Sequence, residues 1–270
     1  MSSRYLLLLC VVLCCQLVGC AHDHRFAPQR WPANPTSEAR IDHAEWQRFL
    51  NRYLVAAFSD LNRVDYAAVK AHGRATLRHY LDTMTGTDIS RYNRREQMAY
   101  WINVYNALTI DVIVDAYPLD SILDLNGGKG PWDTPLFQSS SDRLTLNDIE
   151  HRILRGLWNE PRIHFAVNCA SVGCPDVQPL AFTGDNLEAQ LTLAARSFLA
   201  TPRAIAIRGN ELRLSSLFNW YRDDFASSER ALLASLAVLA DARTAALLRS
   251  WSGRIGYEYD WRLNDISASQ

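Results

Sequence analysis

Between Asn93 and Pro118 the positions Trp101, Ile102, Tyr105, Leu108, Thr109, Val112 and Ile113 fall at helical spacing, and almost every position among them is uncharged. A surface helix carries one apolar stripe, whereas a helix that is apolar nearly all round must be covered on every side. This segment therefore predicts a central, largely buried helix around which the rest of the chain wraps. Asn93 followed three residues on by Glu96 resembles a capping box, and Tyr117-Pro118 stops the pattern. Asn103 and Asn106 lie one turn apart on this helix, beside Trp101. A buried amide left without partners costs about 1–3 kcal/mol, so the two amides predict either a structural polar network or a face that lines a binding site.

The other elements are shorter. Helical spacing starts at Trp46 and takes in Phe49, Leu50, Tyr53, Leu54, Ala57 and Phe58; a weaker helix over 66–83 carries Leu77, Tyr80, Leu81 and Met84. Thr145 can cap a helix running to about residue 158 that holds Glu150, His151 and Arg155. Residues 162–168 read as a short strand, 185–199 as a helix, and Gly209-Asn210 marks a hairpin between 204–207 and 212–214. Ser215 opens a helix through Phe225, two alanine- and leucine-rich helices reach Trp251, and 254–263 alternates as a last strand with Ile255, Tyr257, Tyr259 and Trp261 on one face. The 126–142 loop holds Gly127, Gly128 and Gly130. It lacks the Ser or Thr that follows the lysine of a phosphate-binding loop, so it reads as a surface lid carrying Trp132. With no repeat and no second linker, the expected fold class is α+β: a single, mostly helical domain over 37–270 with a small antiparallel sheet.

Ahead of that domain, Arg4 precedes an apolar run over 5–18, too short for the roughly 20 residues of a membrane-spanning helix. Leu17-Val18-Gly19-Cys20 looks like a lipobox, with 1–19 as the signal peptide and Cys20 as the lipidated first residue of the mature chain. Ala21 after the cysteine resembles the pattern sorted to the outer membrane. The proline-containing stretch 20–36 reads as a tether, and His22 and His24 as part of it. The expected location is the bacterial cell envelope, the domain in the periplasm and the membrane a partner through the lipid. A net charge of −1 and 21% charged residues give no sign of a nucleic-acid partner.

Reactive side chains concentrate in Glu150-His151 and in the run from His164 to Pro175. Here the sequence resembles the DUF547 family. The matching pieces are Tyr100-Trp101-Ile102-Asn103-Val104-Tyr105-Asn106, Leu146-Asn147-Asp148-Ile149-Glu150-His151 with Leu154-Arg155, and Pro161-Arg162-Ile163-His164-Phe165-Ala166. Asn168-Cys169, Ser171, Cys174-Pro175, Phe218-Asn219-Trp220-Tyr221 and Asp224-Phe225 complete the set. The order and spacing agree over roughly residues 90–226. The resemblance implies a fold and a site but no defined reaction. A likeness to papain-like or transglutaminase-like folds is remote at best, since the cysteine precedes the histidine in papain-like enzymes.

In a regular strand His164, Ala166 and Asn168 would face one way and Cys169 the other, while Cys174 could return over the His164 face. That argument favours Cys174 as nucleophile, His164 as base and Asn168 or Glu150 as its orienting partner, with Cys169 close by. Asn103, Asn106, Trp101, His151, Arg155 and Ser171 are the candidate substrate-binding residues. A thiol with a pKa near 8.5 needs such a base to react at neutral pH. In an oxidising compartment the two cysteines can instead form a structural disulfide, leaving a non-catalytic lipoprotein that binds a small molecule or an envelope ligand. A metal or redox role for Cys169, Cys174, His164 and His151 is the third alternative, though no Cys-x-x-Cys pair supports a zinc site. Nothing in the sequence suggests a nucleotide or flavin cofactor. Trp220-Tyr221 read as core aromatics, and Asp223-Asp224 as a solvated helix end.

Overall fold

The computed structural model describes residues 31–56, 61–139 and 142–269. The expected signal peptide, Cys20, His22, His24 and most of the expected tether lie outside these residues, as do Ala57 and Phe58 of the first expected helix.

Helix α1 (Ala44–Tyr53) ends where Leu54–Val55 (β1) pairs with Arg63–Val64 (β2). A helical stretch then begins at Tyr66–Ala68 (α2), widens to i→i+5 winding over Val69–Gly73 and continues as Arg74–Thr85 (α3). The segment expected to be central is helix α4 (Arg94–Ala116), and every residue from Glu96 to Ile110 in it is buried. The Asn93 side chain accepts hydrogen bonds from the backbone of Arg95 and Glu96, the satisfaction of open N–H groups that a helix start needs. Glu96 does different work from a capping-box partner. Its carboxyl accepts from the backbone N–H of Ile41 (3.3 Å) and Gly184 (3.1 Å), tying two distant segments to the helix start.

The two-residue strands Phe137–Gln138 (β3) and Arg143–Leu144 (β4) lead to the Thr145 cap, where Thr145 and Asp148 exchange hydrogen bonds. The helix that follows is wound i→i+5 over Asp148–Leu154 and as an ordinary turn over Arg155–Leu157 (α5). Wider turns of this kind occur mostly as short interruptions, often at functional sites. Residues 162–168 do not form the expected strand. Pro161–Phe165 is a 3-10 turn, with Pro161 at its start and the Glu160 side chain accepting from Arg162 N. A proline fixes φ in the helical range and has no N–H to satisfy at a first turn, which favours this outcome over extension.

Helix α6 (Leu187–Leu199) precedes the hairpin of Ile205–Arg208 (β5) and Glu211–Ser215 (β6). Two short turns, Leu217–Trp220 (α7) and Arg222–Phe225 (α8), stand where one helix was expected, and α9 (Glu229–Leu239) and α10 (Ala242–Ser250) follow. The last strand, Arg254–Glu258 (β7), lies parallel to β6, so this sheet is mixed rather than wholly antiparallel. The result is a mostly helical α+β fold. One apolar cluster surrounds α4, and a second gathers α6, β6, α9 and α10 around Phe165, Phe198 and Phe218.

Candidate functional site

A cavity of about 200 Å³ opens beside the loop that follows the Pro161–Phe165 turn, with Glu150, His164, Cys169 and Cys174 in its wall. The loop is held from several sides. Asn106 of α4 donates to Ala166 O (2.9 Å) and accepts from Asn168 N (2.8 Å). The Asn168 side chain donates to Pro175 O (2.6 Å) and accepts from Ala170 N (2.8 Å), bracing a left-handed residue, Ala170 at φ 59°. Such a conformation is uncommon outside glycine and needs surrounding support. Arg203 clamps the far side through Val172 O and Cys174 O.

The same loop runs against residues 260–262. Val172 N donates to Arg262 O and Gly173 N to Asp260 O, each at 2.8 Å. A Cβ on Gly173 would lie 2.8 Å from Asp260 N, so this approach requires glycine. The pairing brings Tyr259 and Trp261 next to the cysteines.

Cys169 and Cys174 are free thiols with their sulfurs 2.9 Å apart. Cys169 is partly exposed, whereas Cys174 is 3% exposed. The Cys169 sulfur also meets Ser171 Oγ at 3.1 Å and Tyr259 Oη at 2.9 Å. The hydrogen bond shared with Cys174, helped by those with Ser171 and Tyr259, overcomes burial and holds the Cys169 thiol below its ordinary range. Burial, and then the neighbouring Cys169, push Cys174 well up. Strand alternation therefore does not govern where the two thiols point. Without a strand, both thiols reach the same cavity, and the more acidic and more accessible one is Cys169.

His164 is 1% exposed and hydrogen-bonded to neither thiol. Its Nε2 meets Asp224 Oδ2 at 2.6 Å, its Nδ1 lies 3.9 Å from Glu150 Oε1 without a hydrogen bond, and its ring stacks on Tyr221 at 4.0 Å. Asp224, expected to be solvated, also takes a two-pronged ion pair from Arg155. Burial pushes its carboxyl up, but the hydrogen bonds from His164 and Arg155 outweigh it and hold the group well below the usual carboxylate range. Glu150 accepts from Tyr105 Oη at 2.9 Å. Thus His164 is oriented by Asp224, with Glu150 on its other side, and Asn168 braces the loop instead.

The helix divides Glu150 from its neighbour. Glu150 faces the cavity, while His151 accepts from Arg155 at 3.1 Å and lies on the other side of that cluster. Ser171 sits under Cys169 as a hydrogen-bond partner. Three expected binding residues are placed elsewhere. Asn103 is spent on both backbone groups of Phe182, Asn106 on the cysteine loop, and Trp101 packs between Trp31, Tyr100 and Phe137. Among the described residues, no group of three or more His, Cys, Asp or Glu side chains is placed to hold a metal ion.

Sequence reasoning missed most of the wall. Trp132, Trp220, Tyr259 and Trp261 form a run of contacting rings, with centroids 4.6 Å (Tyr259–Trp261), 4.7 Å (Trp220–Tyr259), 5.6 Å (Trp220–Trp261) and 5.9 Å (Trp132–Trp261) apart. Trp220 is not a core residue but 49% exposed. The available signal was the placement of Tyr259 and Trp261 on one face of an alternating segment.

Residues 89–199 match the family model described as "Protein of unknown function, DUF547". Neither the curated proteins nor the solved structures gave a match to the chain. The matched span contains α4, the Glu150 helix and the whole cysteine loop, and over that span the chain is similar to the DUF547 family.

Proposed function

We propose that this chain is a thiol-dependent hydrolase or acyl transferase that uses Cys169 as its nucleophile and is held at the cell envelope by a lipid on Cys20. One observation carries the enzymatic reading: Cys174, Ser171 and Tyr259 converge on the sulfur of a partly exposed cysteine at the edge of a cavity. A thiolate so supported is a competent nucleophile near neutral pH. Its sulfur forms a bond to an acyl carbon as the bond to the leaving group breaks, and the proton given up by the Cys169 thiol passes to the leaving group through His164 and Glu150, which line the same cavity. Water or an acceptor alcohol or amine then displaces the sulfur, releasing the acyl product and the thiol. Cys174, buried and held in its protonated form, serves Cys169 as a donor rather than as the attacking group. Support for the anchor comes from the sequence of residues 1–20, and mass analysis of the N-terminal peptide with and without Cys20→Ala tests it.

Intact-mass analysis of maleimide labelling tests the chemistry. Cys169 is expected to label first, with a rate whose midpoint in pH lies below the 8.5 of an ordinary thiol; Cys169→Ser abolishes that phase and Cys174→Ser retains it. Labelling of Cys174 alone overturns the assignment. The 2.9 Å separation also favours a second reading, a binding lipoprotein closed by a Cys169–Cys174 disulfide. Two thiols that label only after reduction would establish that form.

A further inference from the structure

Apart from the sulfurs and His164, the described residues of the cavity wall offer chiefly aromatic faces and one acidic side chain. Trp132, Trp220, Tyr259 and Trp261 supply the faces, and Glu150 supplies the acid. Among the described residues, no lysine or arginine is in its wall. Of the arginines that follow Glu150 in the chain, Arg152 is paired with Asp148, and Arg155 is turned onto Asp224 and lies over the Tyr221 ring at 5.2 Å. Of the remaining polar atoms, Tyr105 Oη is engaged by Glu150, Tyr259 Oη by Cys169 and Ser171, and the Asn147 amide by Asp133, whereas His164 Nδ1 has no hydrogen-bond partner. A sugar ring would need several free donors and acceptors around its edge. An anion would need a positive group or open N–H donors. Ring faces beside an acidic side chain suit a weakly hydrated cation, because the negative face of each ring attracts it and no hydrogen bond is required of it.

We propose that the cavity takes substrates bearing an alkylammonium group, which packs against Trp132, Trp220 and Trp261 on the Glu150 side while the acyl carbon meets Cys169. This rests on Cys169 being the nucleophile, and it narrows the substrate to a cationic ester, thioester or amide.

Three methanethiosulfonate reagents of matched size test the charge preference: one ending in trimethylammonium, one neutral and one ending in sulfonate. In each reaction the cysteine sulfur forms a disulfide with the reagent's sulfenyl sulfur, the S–SO2 bond breaks, methanesulfinate leaves with the electron pair, and the thiol proton goes to solvent. The Cys174→Ser chain is used so that the mixed disulfide persists, and each rate is divided by the rate for N-acetylcysteine. The expected result is a preference of about ten-fold for the trimethylammonium reagent over the neutral one, with the sulfonate slowest. Trp220→Ala removes the preference and Trp220→Phe restores it. Ratios equal to those of the free thiol, or a preference for sulfonate, overturn the proposal. If Cys169 reacts with none of the reagents, the nucleophile reading fails by itself. Titration of the unsubstituted chain with tetramethylammonium then decides the ligand class. Saturable quenching of indole fluorescence that Trp220→Ala abolishes supports a cation site, and an unaltered spectrum overturns it.

Discussion

The buried amide face of α4 and the aromatic segments after β6 and β7 make opposite use of their residues. Asn103 and Asn106 lie on the best-defined helix in the chain, yet both amides are spent on backbone groups of neighbouring loops. Trp220 ends the short turn α7, Tyr259 and Trp261 lie in the irregular segment after β7, and together they wall the cavity. A rigid, fully covered helix has no access to a ligand, so its polar groups serve as clamps. Rings left partly exposed at the rim of two apolar clusters are the ones a ligand can reach. Polar residues inside the family core thus build the support of the site, and aromatic residues beyond the matched span shape its opening.

The largest expected effect separates the two regions. Asn103→Leu leaves the buried N–H and C=O of Phe182 without partners and lowers stability by about 3 kcal/mol in urea unfolding. The rate of Cys169 alkylation in the folded protein is expected to hold. A slower thiol with normal stability would mean that the α4 face takes part in the site after all.

Asp224 comes next, because it links the family core to the segment beyond it. Its folded-state pKa is depressed, so its contribution is present above the unfolded value near 4 and is lost as pH falls through that value toward the folded one. Asp224→Asn leaves His164 and Arg155 without their charged partner and costs about 2 kcal/mol at pH 7. It also flattens the fall in melting temperature below pH 4. An equally steep acid transition in the variant would assign that transition to other carboxyls.

The smallest effect on stability belongs to Trp220→Ala. Half-exposed and packed mainly on other rim aromatics, Trp220 contributes under about 1 kcal/mol to thermal unfolding. A loss of several kcal/mol would show the rim to be structural, and the contrast with α4 would collapse.

Much of the framework was legible because it depends on local pattern. The Asn93 start, the stop before Pro118, the Thr145 cap and the Gly209-Asn210 hairpin each follow from a few neighbouring residues. The strand expected at 162–168 failed because its apolar alternation competes with Pro161, and the local turn prevailed. That one difference carried the nucleophile with it, since the case for Cys174 depended on strand alternation. From the sequence Asp224 is expected to be solvated, because adjacent acids near a helix end are usually surface groups. Nothing local reveals that Arg155 and His164, 69 and 60 residues away, close upon it.

By itself the sequence determined the mostly helical α+β class, the buried central helix and the concentration of reactive groups between Glu150 and Cys174. Hydrophobic periodicity and capping chemistry act over a few residues, and a chain records them directly. Only the tertiary structure decided which cysteine is accessible, which carboxyl orients His164 and which rings enclose the cavity. Those depend on close approaches between distant segments, such as Gly173 against Asp260, and on the donors such approaches aim at one sulfur.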